Sequence, residues 1–303
     1  MNRFLIGQHG RFDESKYVRD FKPGFYGIEA CLLENDQHVA RLIEESAAQQ
    51  FRVGIHYPLR AGRSKLRDAL FMASADSVRR QAYDHIAGEL DEMARLNPSY
   101  ILFHYPKPVI LDDRVDWTHW RFADPSEFVY ESSYPLEEWE EKSEALFEWL
   151  TARGREYGFT PVLEFDALNH YVYATDLLER LLKKYPGIRL CLDTGRLFLQ
   201  HKLDPFFDAA EVIRRYAVYA DLIHLSNTRF TDRVETHHYP VLPELDPGDG
   251  WAPIAQYLGI VRERNPHVNI LFEHRSDAIT SEQLERCYTW VDELLNAKSG
   301  AQK

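Results

Sequence analysis

The 303-residue chain carries 36 Lys and Arg against 48 Asp and Glu, a formal net charge of −12, with 45% hydrophobic and 28% charged residues. This composition excludes a disordered chain, and the acid excess opposes a broad phosphate-driven grip on nucleic acid. No apolar run reaches the ~18 residues of a membrane span, and the start, MNRFLIGQHG, is too short in apolar residues for a secretory signal, whose apolar core is ~7–15 residues. Cys31, Cys191 and Cys287 are widely spaced and odd in number, so they read as buried thiols of a cytoplasmic protein rather than a disulfide or Cys-type zinc framework.

In chain order, short β-branched or aromatic runs alternate with longer segments of helical period. Strands are predicted at 3–8, 25–30 and 51–56. A helix follows, in which Val78, Ala82, Ile86, Leu90 and Met93 recur at steps of three and four on one face. Further strands are predicted at 99–104 and 160–164. Leu177, Leu178, Leu181, Leu182 and Tyr185 mark the next helix, stopped by Pro186-Gly187 before a strand at 188–193. After strands at 221–225 and 268–273, Thr280 and Gln283 stand in capping-box spacing at the start of the last helix. Eight strands alternating with eight helices predict a parallel sheet covered on both faces. Closure into a single (β/α)8 TIM barrel over residues 1–303 accounts for eight units, with a doubly wound open sheet as the competing arrangement. Such a barrel needs roughly 250 residues. The surplus falls in two long loops after strands four and seven: an aromatic insertion at 105–134, and 226–250, rich in His, Asp, Pro and Gly. Both would lie at the C-terminal mouth, where these barrels build active sites. The aromatic loop reads either as a lid or as a contact between copies in a homo-oligomer.

The strand ends carry the chemistry. Strands three to six finish in His56, His104, Glu164 and Asp193, strand seven carries His224, and strand eight finishes in Glu273. His, Asp and Glu make up about one residue in five, so six such endings arise by chance on the order of 10⁻³ of the time, allowing one residue of slack. An apolar core does not finish in isolated ionisable groups without cost. A divalent cation compensates carboxylates and takes imidazole lone pairs. Mixed carboxylate and imidazole ligands suit Zn²⁺, Mn²⁺, Co²⁺ or Fe²⁺ better than Mg²⁺ or Ca²⁺. In the seventh loop, which reads as irregular, Glu235-Thr236-His237 offers two further ligands or a solvated turn, with His238 as the exposed partner.

These strand-end motifs, GIHYPL, ILFHYPKP, VLEFDALN, LCLDTGRLFL, LIHLSNT and LFEH, resemble in order and spacing the xylose-isomerase-like TIM-barrel superfamily, across essentially the whole chain. That superfamily holds sugar-phosphate isomerases and epimerases and the endonuclease IV group. The resemblance implies a four-ligand metal site of Glu164, Asp193, His224 and Glu273. It places His56, His104, Glu235 and His237 where endonuclease IV keeps additional zinc ligands. Three positions depart from the pattern, one of them Glu235, which stands where the endonuclease group has Asp. Arg196 replaces the family's His three residues after the Asp and cannot ligate a metal as a cation, and Asn227 replaces an Asp.

The resemblance thus implies a metal-dependent sugar or sugar-phosphate isomerase or epimerase acting through a stabilised enediolate. Glu164 and Glu273 would serve as proton donor and acceptor and Arg196 as substrate grip, with aromatics of the insertion, Trp117 and Trp120 among them, over the substrate. The alternatives are an endonuclease IV-like multi-zinc phosphodiesterase and a non-catalytic metal or sugar binder. The first of these explains His56, His104 and His237 better, but Arg196 and the net charge of −12 worse. The expected partner is a small polyhydroxy compound, with neither nucleic acid nor membrane.

Overall fold

The structure is a computed structural model and describes residues 1–64 and 66–297. Eight parallel strands close into a barrel: β1 (Phe4–His9), β2 (Gly27–Cys31), β3 (Arg52–His56), β4 (Tyr100–Tyr105), β5 (Thr160–Phe165), β6 (Arg189–Asp193), β7 (Ala220–Leu225) and β8 (Asn269–Phe272). The order around the ring is β1-β8-β7-β6-β5-β4-β3-β2. The predicted strands hold to within about two residues at each end, because continuous apolar runs mark strands buried on both faces. Among the described residues there are ten α-helices rather than eight. The stretches after β5 and β6 each carry two, split at Ala174–Asp176 and at Asp204–Asp208. All three cysteines are free and buried.

Contacts divide the chain into two units. The first holds residues 7–13 and 27–191, hence β2 to β5. Here β4 and β5 pair in a register that sets His104 beside Glu164, and Ile55 of β3 beside Ile101 of β4. Gly54 is required by a close approach: a Cβ there would lie 2.1 Å from the Tyr100 ring. Tyr100 in turn donates a hydrogen bond to Glu29 at 2.8 Å. The helix of Asp76–Ala94 buries Ala82, Ile86, Leu90 and Met93 as its period predicts, while Val78 stays exposed.

The aromatic insertion is ordered locally. Its segments Val109–Leu111 and Phe128–Tyr130 pair in parallel, and Trp117 and Trp120 meet edge to face at 5.9 Å. Each indole is 7% exposed, and Trp117 Nε1 donates to the Asp112 carbonyl at 3.0 Å. Both therefore belong to the insertion's own core.

The second unit holds residues 1–6, 14–26 and 192–303. Within it β7 and β8 pair from Leu222–Asn269 to Leu225–Phe272. Asp20, fully buried, takes Lys16, Arg19 and Ser276 as partners and so ties the first helix (Glu14–Asp20) to the segment after β8. The last helix (Ser281–Asn296) opens with both hydrogen bonds of the predicted capping box between Thr280 and Gln283. The loop after β7 is a hairpin, Asn227–Phe230 against Val234–Tyr239, rather than irregular.

One buried acid outside the barrel mouth has a measurable consequence. Glu89 is 5% exposed, and its Oε2 has no hydrogen-bond partner among the described residues. Burial raises its pKa to about 7, with Arg63 opposing and Glu92 adding to the rise. The folded state therefore holds this proton more tightly than the unfolded chain, and stability falls as pH rises from about 4.5 to about 7. Glu89→Gln is expected to be more stable than wild type by about 1–3 kcal/mol at pH 8 in urea unfolding. The difference should vanish near pH 4.5.

Candidate metal centre

The first unit gathers His56, His104 and Glu164. Glu164 is 1% exposed at the end of β5, with Oε2 at 2.9 Å from His104 Nε2 and 3.3 Å from His56 Nε2. The two imidazoles meet edge to face at 4.8 Å. Ligand atoms of the three residues lie within 4.8 Å of one another. His56 Nδ1 faces the Tyr57 carbonyl at 3.0 Å, which directs Nε2 toward Glu164. Burial pulls the His56 pKa down, but contacts with Cys31 and Glu164 outweigh it and hold the imidazole well above its ordinary range.

Behind this group lies a buried chain of charges that the sequence did not disclose. Asp68 Oδ1 is 2.9 Å from His104 Nδ1, and Asp68 Oδ2 is 2.8 Å from Lys107 Nζ. Lys107 Nζ is also 2.8 Å from Asp166 Oδ2. Burial would raise the Asp68 carboxyl, but His104 and Lys107 hold it well below the usual carboxylate range. Burial would lower the Lys107 ammonium, but Asp166 and Asp68 raise it, so it stays charged.

The second unit gathers Asp193, His224 and Glu273, whose ligand atoms also lie within 4.8 Å of one another. Asp193 ends β6 and caps the helix Thr194–Leu203, its Oδ1 accepting from Gly195 N at 2.7 Å and Arg196 N at 3.1 Å. Its Oδ2 lies 3.4 Å from Arg196 Nε. Arg196 thus rests against the proposed ligand Asp193, with its side chain 29% exposed. His224 is fully buried on β7, with Nδ1 at 3.2 Å from Glu273 Oε2. Glu273 lies one residue beyond β8, where its N–H donates to the Leu225 carbonyl at 3.1 Å, and its side chain is 33% exposed.

The hairpin braces this group from the backbone. His238, at φ 49°, faces the Glu273 carbonyl through Nδ1 at 3.1 Å, and its own carbonyl accepts from Arg275 N at 2.9 Å. His238 is half-buried and His237 exposed, the reverse of the expected order, because strand alternation turns Glu235 and His237 to the same outer side. Glu235 contacts Arg233 Nε at 3.2 Å and Thr231 Oγ1 at 3.3 Å. Among the described residues, neither Glu235 nor His237 enters any set of three metal-ligating groups.

The donors fit a divalent cation. Within the second unit, two carboxylates and an imidazole from three strand ends converge, with the imidazole fully buried. The short His224–Glu273 contact lacks the alignment of a hydrogen bond. Carboxylate oxygens and an imidazole nitrogen at this spacing are the ligand types of Zn²⁺, Mn²⁺ and Co²⁺.

No family model and no curated protein matches the sequence. The fold matches many solved structures. One is a D-tagatose 3-epimerase-like protein at TM-score 0.63 and 14% identity, covering 95% of this chain and 98% of that one. Another is a protein of Thermus thermophilus, soaked with ZnCl2, at TM-score 0.60 and 18% identity, covering 98% and 100%. A third is the 3-keto-D-glucoside 4-epimerase of E. coli at 0.59 and 13%, covering 96% and 98%. Xylose isomerase-like barrels are among the further matches. The chain therefore has the fold of the xylose isomerase-like TIM barrels, and several of its structural neighbours are sugar epimerases.

Proposed function

We propose that the protein is a divalent-metal-dependent isomerase or epimerase acting on a small sugar or sugar phosphate. The observation that carries this reading is the convergence of Asp193, His224 and Glu273 at three strand ends. Glu164 is proposed as the fourth ligand, as the strand-end motif VLEFDALN implies. Bound there, Zn²⁺, Mn²⁺ or Co²⁺ supplies electrophilic stabilisation of negative charge on a substrate oxygen. Sugar epimerases and a zinc-soaked protein of the same fold are consistent with this reading.

In the proposed reaction Glu164 and Glu273 move the proton. One carboxylate removes it from the carbon beside the substrate carbonyl, and the other returns one to carbon or oxygen. A carboxylate that ligates a metal through one oxygen keeps the second for this task. Glu164 is held by His56 and His104, which fix its orientation before substrate arrives. Arg196 is proposed to bind a hydroxyl or anionic group of the substrate through its planar fork. The insertion, stiffened by Trp117 and Trp120, is proposed to cover the substrate and exclude water.

A second reading has one observation in its favour: His56, His104 and Glu164 form a further ligand set, as a multi-zinc phosphodiesterase would need. Arg196 in place of a ligand, the exposed Glu235 and His237, and the net charge of −12 weigh against it. Nucleic acid is accordingly not the proposed partner.

Removal of the metal tests the site. Chelation is expected to lower the melting temperature, since a ligand at ~1,000 times its Kd adds about 4 kcal/mol to stability. Asp193→Ala and His224→Ala should lose stoichiometric metal by elemental analysis; full retention in both would place the metal elsewhere. The chemistry is tested in D₂O with ketoses, inososes, keto acids and their phosphates. Wild type should wash deuterium into the carbon beside the carbonyl of the true substrate. Glu164→Gln and Glu273→Gln should slow that exchange by ~10²–10⁴-fold while keeping much of the metal.

A further inference from the structure

The corner formed by Asp68, His104 and Asp166 offers ligand atoms within 4.8 Å of one another, the spacing of a cation site. Lys107 fills it. The lysine is 2% exposed, and its Nζ stands 2.8 Å from Asp68 Oδ2, 2.8 Å from Asp166 Oδ2 and 4.0 Å from Glu127 Oε2. The Phe122 ring also faces the ammonium, its centroid 6.0 Å from Nζ. Three carboxylates and an aromatic ring thus face one buried ammonium.

We propose that Lys107 is a resident cation, standing in the corner that would otherwise take a second divalent ion and positioning the neighbouring acid. Lys107 anchors Asp68 by one oxygen, and the other oxygen meets His104 Nδ1 at 2.9 Å. His104 Nε2 then faces Glu164 Oε2 at 2.9 Å. A continuous line of contacts thus runs from Asp166 through Lys107, Asp68 and His104 to Glu164. Asp68, Lys107 and Asp166 follow β3, β4 and β5 respectively, so one ammonium joins segments that follow three strands. A divalent ion there could dissociate and would leave the charges unpaired; a covalently attached ammonium cannot. Lys107 is a positioning residue. Its role in catalysis rests on the proposed function of Glu164, whereas its role as a cation rests on the corner alone.

Zinc counting by equilibrium dialysis and elemental analysis separates the two. Wild type, Lys107→Met and Lys107→Met with Asp68→Asn are compared under one free Zn²⁺ concentration. Lys107→Met is expected to bind one Zn²⁺ more per chain than wild type, and the double variant to return to the wild-type count. A folded Lys107→Met with the wild-type count would overturn the proposal. If Lys107→Met does not fold without metal, recovery of its circular dichroism on adding Zn²⁺ supports the proposal, and failure to recover contradicts it. Because the count is relative, a wild type without bound zinc would refute the proposed metal centre and leave this comparison standing.

Discussion

A carboxylate with 1% exposure at the end of an apolar strand is the constraint on which the site depends. Glu164 cannot keep its charge in that position without opposite charge or hydrogen-bond donors close by. His104 and His56 answer this demand from β4 and β3. Their own imidazoles need orienting, which the Tyr57 carbonyl does for His56 and Asp68 for His104. Asp68 then needs a counter-charge, and Lys107 supplies it. Each buried charge thus calls for the next, until Asp166 and Glu127 end the series.

The second unit meets the same demand with backbone groups. Asp193 spends one oxygen on the first amides of a helix, which lowers the cost of its charge and fixes its rotamer. Glu273 is located by two backbone contacts, to Leu225 through its N–H and to His238 through its carbonyl. These candidate ligands are therefore held by strands and caps, while the side chain of Glu273 is 33% exposed.

What was legible in the sequence followed from local chemistry. Strand runs such as YILFHY and TPVLEF declare themselves because both faces are covered, and their last residues are conspicuous because they break an apolar pattern. Thr280 and Gln283 are legible because a capping box is a four-residue event. Asp68, Lys107 and Asp166 were not, because their partners lie in segments that follow different strands and no periodicity links them. The hairpin after β7 was hidden by its polar composition, and with it the alternation that turns Glu235 and His237 outward. Aromatic content makes the 105–134 segment conspicuous, but could not show that Trp117 and Trp120 pack on each other.

The central proposal is that one divalent cation is held by Asp193, His224 and Glu273, with Glu164 as the fourth ligand. Anomalous scattering from crystals grown with Mn²⁺ tests it most directly. The account predicts one strong peak per chain in contact with those four side chains, and none at Lys107. A peak bounded by His56 and His104 without Asp193 and Glu273, or no peak from protein that retains its fold, would contradict it.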